Sequence, residues 1–285
     1  MIDQSALILE GGGLRGVYTA GALRFFMDQD LYFPYVIGVS MGACNGANYV
    51  ARQPERNRIV NIRYVRDRRF ISYLRLLQGG ELFGMDFIFD TIPNQLVPFD
   101  YATFRKSAQR FIAVVFDCQT GETVYIDKTG LTKEDLMGVL RAGSCLPLVQ
   151  KPVSFKGRTL MDGGLADPVP LQKSVADGNR RHLLILTQAK GYRKTSSDFA
   201  WLVKRRYPHF EGLCRMIETR QKRYNETMEW VDHLEEKKEI FVIRPRNPLK
   251  AGRVERNKDR LYADYDQGYA DASACYGDLC AYLHQ

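Results

Sequence analysis

The chain has 285 residues, 45% of them hydrophobic and 26% charged, which excludes a disordered chain and leaves room for one large α/β domain or a domain with a helical appendage. No apolar run reaches about 18 residues, which argues against a transmembrane helix. The formal net charge of +8 is spread along the chain without an RNP motif, a zinc finger or a basic-region helix, so nucleic acid is disfavoured and an anionic lipid surface stays open.

Ala6 to Glu10 (ALILE) reads as a buried strand running into a glycine turn. Val17 to Gln29 reads as a helix with Val17, Ala20, Leu23 and Met27 along its apolar stripe. Tyr35 to Val39 (YVIGV) is a second buried strand, and Met41 to Arg52, rich in small residues, is a helix packed close to a sheet. This order predicts a parallel sheet with crossover helices. Residues 53–110 are harder to read. Within them Arg66, Arg68, Arg69 and Arg75 mix with Phe70, Ile71, Leu74 and Leu77, which suits either an amphipathic interfacial helix or a surface helix packed on the core.

Phe111 to Asp117 and Glu122 to Asp127 flank a Gly-containing loop and predict a hairpin. Leu131 to Arg141 is a predicted helix with Thr132 and Asp135 as its cap pair. A second hairpin is expected at Val153 to Met161 around Lys156-Gly157, then a helix from Pro168 to Ala176 and a buried strand from Leu183 to Thr187. Asp198 to Lys238 reads as charged helix broken at Pro208, Ile240 opens a strand, and helix returns from Asn257. No repeat or flexible linker appears, so the expectation is one domain, with a core of about residues 6–190 and a helical C-terminal region of about 191–285.

The N-terminus, MIDQSALILEGGG, lacks the basic and apolar regions of a secretory signal, and a cytoplasmic protein is expected. Cys44, Cys118, Cys145, Cys214, Cys275 and Cys280 form no C-x-x-C pair and no zinc-ligand spacing with histidine, so free packing thiols and no metal are expected.

Gly11-Gly12-Gly13-Leu14-Arg15-Gly16 follows a strand and opens a helix. Glycines let the backbone approach a ligand, and free N–H groups at a helix start stabilise negative charge, whether phosphate or oxyanion. A dinucleotide site would end the second strand in an acidic residue. Here that strand ends in Ser40, within Gly38-Val39-Ser40-Met41-Gly42. This is G-x-S-x-G between a strand and a helix, the setting of a nucleophile elbow. Gly38 and Gly42 supply the small flanks that a strained turn needs, and the Met41 N–H lies near a developing oxyanion.

A serine nucleophile needs a base. His182, His209, His233 and His284 all read as surface residues, none in a small-residue loop after a buried strand. The better candidate is Asp162, which follows a short strand and precedes Gly163 and Gly164.

Taken in order, GGGLRG, GVSMG and DGG give a sequence that resembles the patatin-like phospholipase family across roughly residues 6–190. The loop Ala142-Gly143-Ser144-Cys145-Leu146-Pro147 and the C-terminal stretches RPRNPLKAGRVERNK and YDQGYADA add to the likeness, with Gly143 standing where many members carry Ser. The resemblance implies a three-layer α/β/α fold with a mainly parallel sheet and a helical C-terminal segment. It implies a Ser40–Asp162 dyad, an oxyanion hole at Gly11, Gly12 and Gly13 with Arg15 nearby, an acyl-ester or lipid substrate, and no cofactor. The rival readings are a His-triad esterase and a non-enzymatic lipid-binding or regulatory module. Peripheral contact with an anionic membrane is a further expectation; oligomeric state is left open.

Overall fold

The computed structural model describes residues 3–195 and 199–284. Met1 and Ile2, at the start of the N-terminal segment, and Asp198, where the charged helical stretch is expected to begin, lie outside the described residues. The first half runs β1 (Ser5–Leu9), α1 (Val17–Asp28), β2 (Tyr35–Val39), α2 (Met41–Val50), α3 (Arg56–Arg58), α4 (Tyr73–Leu77), α5 (Tyr101–Lys106), β3 (Arg110–Asp117) and β4 (Thr123–Asp127). The second half runs α6 (Lys133–Ala142), β5 (Val153–Phe155), β6 (Arg158–Asp162), α7 (Leu171–Ala176), β7 (Arg181–Ile185), α8 (Ala200–Arg206), α9 (Glu211–Glu236), β8 (Phe241–Ile243), α10 (Lys258–Ala274) and α11 (Tyr276–Leu283).

All eight strands join one sheet in the order β5-β6-β3-β2-β1-β7-β8, with β4 also on β3. The pairs β3-β2, β2-β1, β1-β7 and β7-β8 are parallel, while β4 and β6 run antiparallel to β3 and β5 antiparallel to β6. A sheet covered on both faces needs strands that are apolar at every position, which is why ALIL and YVIGV show no polar alternation. Leu7, Leu9 and Val36 pack into the layer of α1, α2 and α11, whereas Ala6, Ile8 and Ile37 pack against Leu171 of α7 and Tyr224, Met228 and Val231 of α9. The result is the expected α/β/α sandwich with a mainly parallel sheet. The helix α10 lies along α1, at a separation that glycine permits: a Cβ on Gly21 would strike the Tyr265 carbonyl, and one on Gly268 the Tyr18 carbonyl.

Local signals translate well at both hairpins and at the caps. Lys156 and Gly157 both take positive φ, as a two-residue hairpin turn requires. Thr132 and Asp135 form a reciprocal capping box on α6. The break at Pro208 separates α8 from α9, and Asn257 caps α10.

Two expectations are corrected. No long helix spans 66–89. The α-helix there is limited to the five residues of α4 and one short step at Met85 and Asp86, the chain turns at Gly79, and Ile71 bridges antiparallel to Phe83. The glycines at 79, 80 and 84 stop the helix, and a wide-turned π-helical segment, Phe87–Leu96, follows. The helix expected from Pro168 begins only at Leu171.

Candidate active site

Ser40 sits between β2 and α2 with φ 55° and ψ −127°. That combination is strained for a residue with a side chain, and it lifts the Ser40 side chain out of the strand end. The turn closes only because its flanks lack side chains. A Cβ on Gly38 would lie 2.6 Å from the Ala43 nitrogen, and one on Gly42 would strike the Leu9 carbonyl oxygen.

The sheet brings Asp162 to Ser40. Strand β2 pairs with β3 up to Val39 opposite Val114 and then leaves at Ser40. Strand β6 takes over beside β3 one residue later, with Asp162 opposite Val115. The two strand ends therefore meet over β3. The Ser40 side chain lies close enough to the Asp162 carboxylate to favour its ionised form, and Asp162 Oδ1 accepts from the Gly164 N–H at 2.8 Å. The Asp162 N–H donates to the Cys145 carbonyl at 2.9 Å, which ties the small-residue loop to the site. Gly163 presses on Val114, whose carbonyl oxygen a Cβ would meet at 2.5 Å. Asp162 is only 3% exposed, and burial raises its pKa above the ordinary carboxylate value against the opposing effects of the nearby Ser40 hydroxyl and the Gly164 N–H.

The glycine loop runs past the same point. Gly11 approaches so closely that an added Cβ would lie 2.8 Å from Cβ of Ser40. Gly13 has φ +58°, and the Arg253 carbonyl lies across it, accepting from the Leu14 N–H at 3.0 Å. Buried Glu10 anchors the loop: it accepts from the Thr187 N–H at 2.6 Å, the Thr187 hydroxyl at 3.0 Å and the Tyr224 hydroxyl at 3.0 Å. Among the described residues the N–H groups of Gly11 and Gly12 have no acceptor.

These residues open into one cleft of about 1340 Å³, open solvent included. One arm is apolar, walled by Phe70, Phe83, Met85, Ile88, Phe89 and Phe99. The other carries Arg15, Lys194, Arg220 and Arg253. Under the elbow, Asn45 bonds the Gly16 carbonyl at 2.7 Å, and Asn61 and Asn57 bond Asn45 in turn. Arg56, 8% exposed, donates to Asn48 at 2.9 Å and is pushed down to about 10 by burial. Cys44 faces the cleft, but burial pushes its thiol up to about 11, so it stays protonated, and all six cysteines are free.

Of the residues singled out from sequence, Gly11, Gly12, Gly13, Arg15, Ser40, Met41, Asp162 and Gly164 line this cleft. Gly16, Gly38, Gly42 and Gly163 pack behind it. His209, His233 and His284 are exposed, as expected. His182 is not: it lies within β7, 5% exposed, with its ring 3.1 Å from the Ser174 hydroxyl, and burial lowers its pKa to about 4. It pairs with Ala6 near the start of β1, at the end of the sheet opposite Ser40. Lys194, Arg220 and Arg253 escape a sequence reading because they come from three separate segments; only the basic stretch around Arg253 hints at them.

Among the described residues no helix is long and apolar enough to cross a membrane. A family profile described as patatin-like phospholipase matches residues 7–173, and one described as a domain of unknown function (DUF6363) matches 210–284. The chain is 28% identical over 273 residues to the uncharacterized protein YjjU of Escherichia coli, covering 92% of this chain and 74% of that protein. It is 25% identical over 170 residues to the uncharacterized NTE family protein Rv1063c of Mycobacterium tuberculosis, covering 58% of this chain but only 44% of that protein. Among solved structures, VipD from Legionella pneumophila shares the fold with a TM-score of 0.52 at 10% identity, over 95% of this chain and 66% of that one. With its motifs in one cleft and more than half its length matched by the profile, the chain belongs to the patatin-like phospholipase family.

Proposed function

We propose that the chain is a serine hydrolase of lipid acyl esters, with Ser40 as nucleophile and Asp162 as its base. The observation that carries this reading is the placement of Ser40 and the buried Asp162 carboxylate together in one cleft, beside the glycine loop and apolar side chains. In the proposed reaction Asp162 takes the hydroxyl proton as Ser40 Oγ attacks the ester carbonyl. The N–H groups of Gly11, Gly12, Gly13 and Met41 face the developing oxyanion. Collapse of the tetrahedral intermediate breaks the C–O bond, and Asp162 returns the proton to the leaving alcohol. Water then attacks the acyl-serine, giving its proton to Asp162, and the acid leaves as Ser40 recovers its hydrogen. The acyl chain occupies the arm walled by Phe70, Phe83 and Phe89. A His triad is disfavoured by the position of His182 and the exposure of the other three histidines.

The reading includes contact with a bilayer surface through α4. Tyr73, Leu74 and Leu77 are 53%, 65% and 84% exposed, next in sequence to Phe70 of the cleft wall. Exposed Arg66 and Arg68 flank this face, whereas Arg69 pairs with Asp67 and Arg75 donates to the Glu81 and Leu82 carbonyls.

A fluorophosphonate probe together with a panel of acyl esters tests the assignment. Wild-type protein takes the label and releases acid, and Ser40→Ala does neither. An unlabelled, inactive wild type would turn the reading to a lipid-binding module on the same fold.

A further inference from the structure

The basic arm of the cleft holds four cationic side chains from four parts of the chain. Arg15 comes from the turn after the glycine loop, Lys194 from the segment after β7, Arg220 from α9 and Arg253 from the segment before α10. Among the described residues none of them forms an ion pair with a carboxylate, and the Nε atoms of Arg15 and Arg220 are buried with no acceptor. The nearby carboxylates are occupied elsewhere. Glu10 accepts from Thr187 and Tyr224, and Asp162 accepts from the Gly164 N–H. Gln188, with its amide turned to present oxygen, accepts from Arg15 Nη1 at 2.7 Å, and the Lys194 ammonium lies 3.7 Å over the Tyr224 ring. Neither supplies negative charge.

Crowding positive groups in a half-buried cleft is unfavourable unless an anion enters. Burial, then Arg220 and Arg253, lower the pKa of Lys194 to about 7, more than the opposing charge of Glu10 restores. The guanidinium fork matches an anion with several oxygens, and a phosphoryl group can engage more than one arginine at once. The apolar residues Phe70, Phe83 and Phe89 line the same cleft as Ser40 and the four cations. A molecule that satisfies both arms carries an acyl chain and a phosphate, with the ester between them.

We propose that Arg15, Lys194, Arg220 and Arg253 form a phosphoryl-binding subsite that holds the headgroup phosphate of an acyl phospholipid while its ester lies at Ser40. The assignment of substrate class rests on the hydrolase reading; the anion site stands on its own geometry. Because Arg220 and Arg253 lie in the region matched by the second family profile, that region supplies two of the four headgroup contacts.

The test compares two substrates with one acyl chain, a 1-acylglycerol 3-phosphate and the matching monoacylglycerol. Wild type prefers the phosphorylated substrate. Arg220→Gln and Arg253→Gln each lower the ratio of the two kcat/KM values about tenfold, chiefly through KM, as loss of a hydrogen bond between charged groups does. Lys222→Gln, at an exposed position of α9 paired with Glu226, leaves the ratio unchanged. Arg253 is exposed, so its variant remains informative if Arg220→Gln folds poorly. In parallel, glycerol 3-phosphate and inorganic phosphate are added to Ser40→Ala protein, and both raise its Tm unless Arg220 and Arg253 are also replaced. A Tm rise with an unchanged substrate ratio overturns the headgroup assignment, marking a free-phosphate site. Ser40-dependent monoacylglycerol hydrolysis with no Tm rise and no preference overturns the subsite and leaves the hydrolase standing. A Tm rise that needs both arginines, in a protein that hydrolyses no ester, keeps the anion site and removes the hydrolase.

Discussion

Asp162 is asked to do two things that conflict. As a base it must be ionised, yet it lies where burial favours the neutral acid. Activity therefore rises with pH through an ionisation whose midpoint lies above the usual 3.8 of an aspartate. The same displacement bears on stability. A carboxyl whose folded pKa exceeds its unfolded value favours folding at low pH and burdens the fold once pH passes the folded pKa. Asp162→Asn removes that burden while keeping an oxygen for the Gly164 N–H. We expect the variant to lose about a thousandfold or more in kcat/KM and to melt higher than wild type at neutral pH, the Tm gap closing in acid. A variant with near-normal turnover would rule out the dyad. Ser40 carries a second cost in its backbone, at φ 55°. Glycine tolerates that conformation and alanine does not, so Ser40→Gly should be more stable than Ser40→Ala by about 1 kcal/mol in denaturant unfolding. Ser40 was legible because its neighbours in sequence are its neighbours in the turn. The burial of His182 was not, since Tyr282 reaches it from the far end of the chain.

Among the elements, α4 and its surroundings are the least readable part of the chain. An apolar residue there can face the cleft, the core or solvent, and periodicity does not separate these fates. Phe70 and Ile71 are buried, whereas Leu74 and Leu77, a few residues later, are not. Ser72 caps the short helix by accepting from the Arg75 N–H at 3.1 Å, so the exposed face is held in place. We expect Leu74→Asp/Leu77→Asp to lower co-sedimentation with anionic vesicles while leaving hydrolysis of a water-soluble ester unaffected. Replacement of Arg66 and Arg68 by Gln should weaken only the preference for anionic over neutral vesicles. Equal binding of all these proteins would remove the bilayer contact from the proposal.

At the scale of the whole molecule, the C-terminal region takes part in both cores. The α9 residues Tyr224, Met228 and Val231 cover one face of the sheet, while Ala272, Leu279 and Tyr282 from α10 and α11 join the other. Tyr224 also bonds Glu10 beneath the glycine loop. We propose that the two profile-matched regions work as one domain. A fragment of residues 1–209 would expose apolar surface on both sides of the sheet and lose the anchor of its loop. It should be insoluble or lack a cooperative melting transition, whereas the full chain melts in one step. A stable fragment with cooperative unfolding would divide the chain into two independent units.

Sequence alone determined the order of strands and helices outside residues 53–110, the burial of ALIL and YVIGV, the turn at Ser40 and the capping of α6. Each of these depends on residues within a turn or two of one another, where glycine, hydrophobic run and cap chemistry act locally. Tertiary structure decided how Asp162 reaches Ser40, because that follows from β6 replacing β2 beside β3. It also decided that four cations from separate segments come together in one cleft, since charge repulsion of this kind is tolerated only where the packing of α9 and the chain before α10 enforces it.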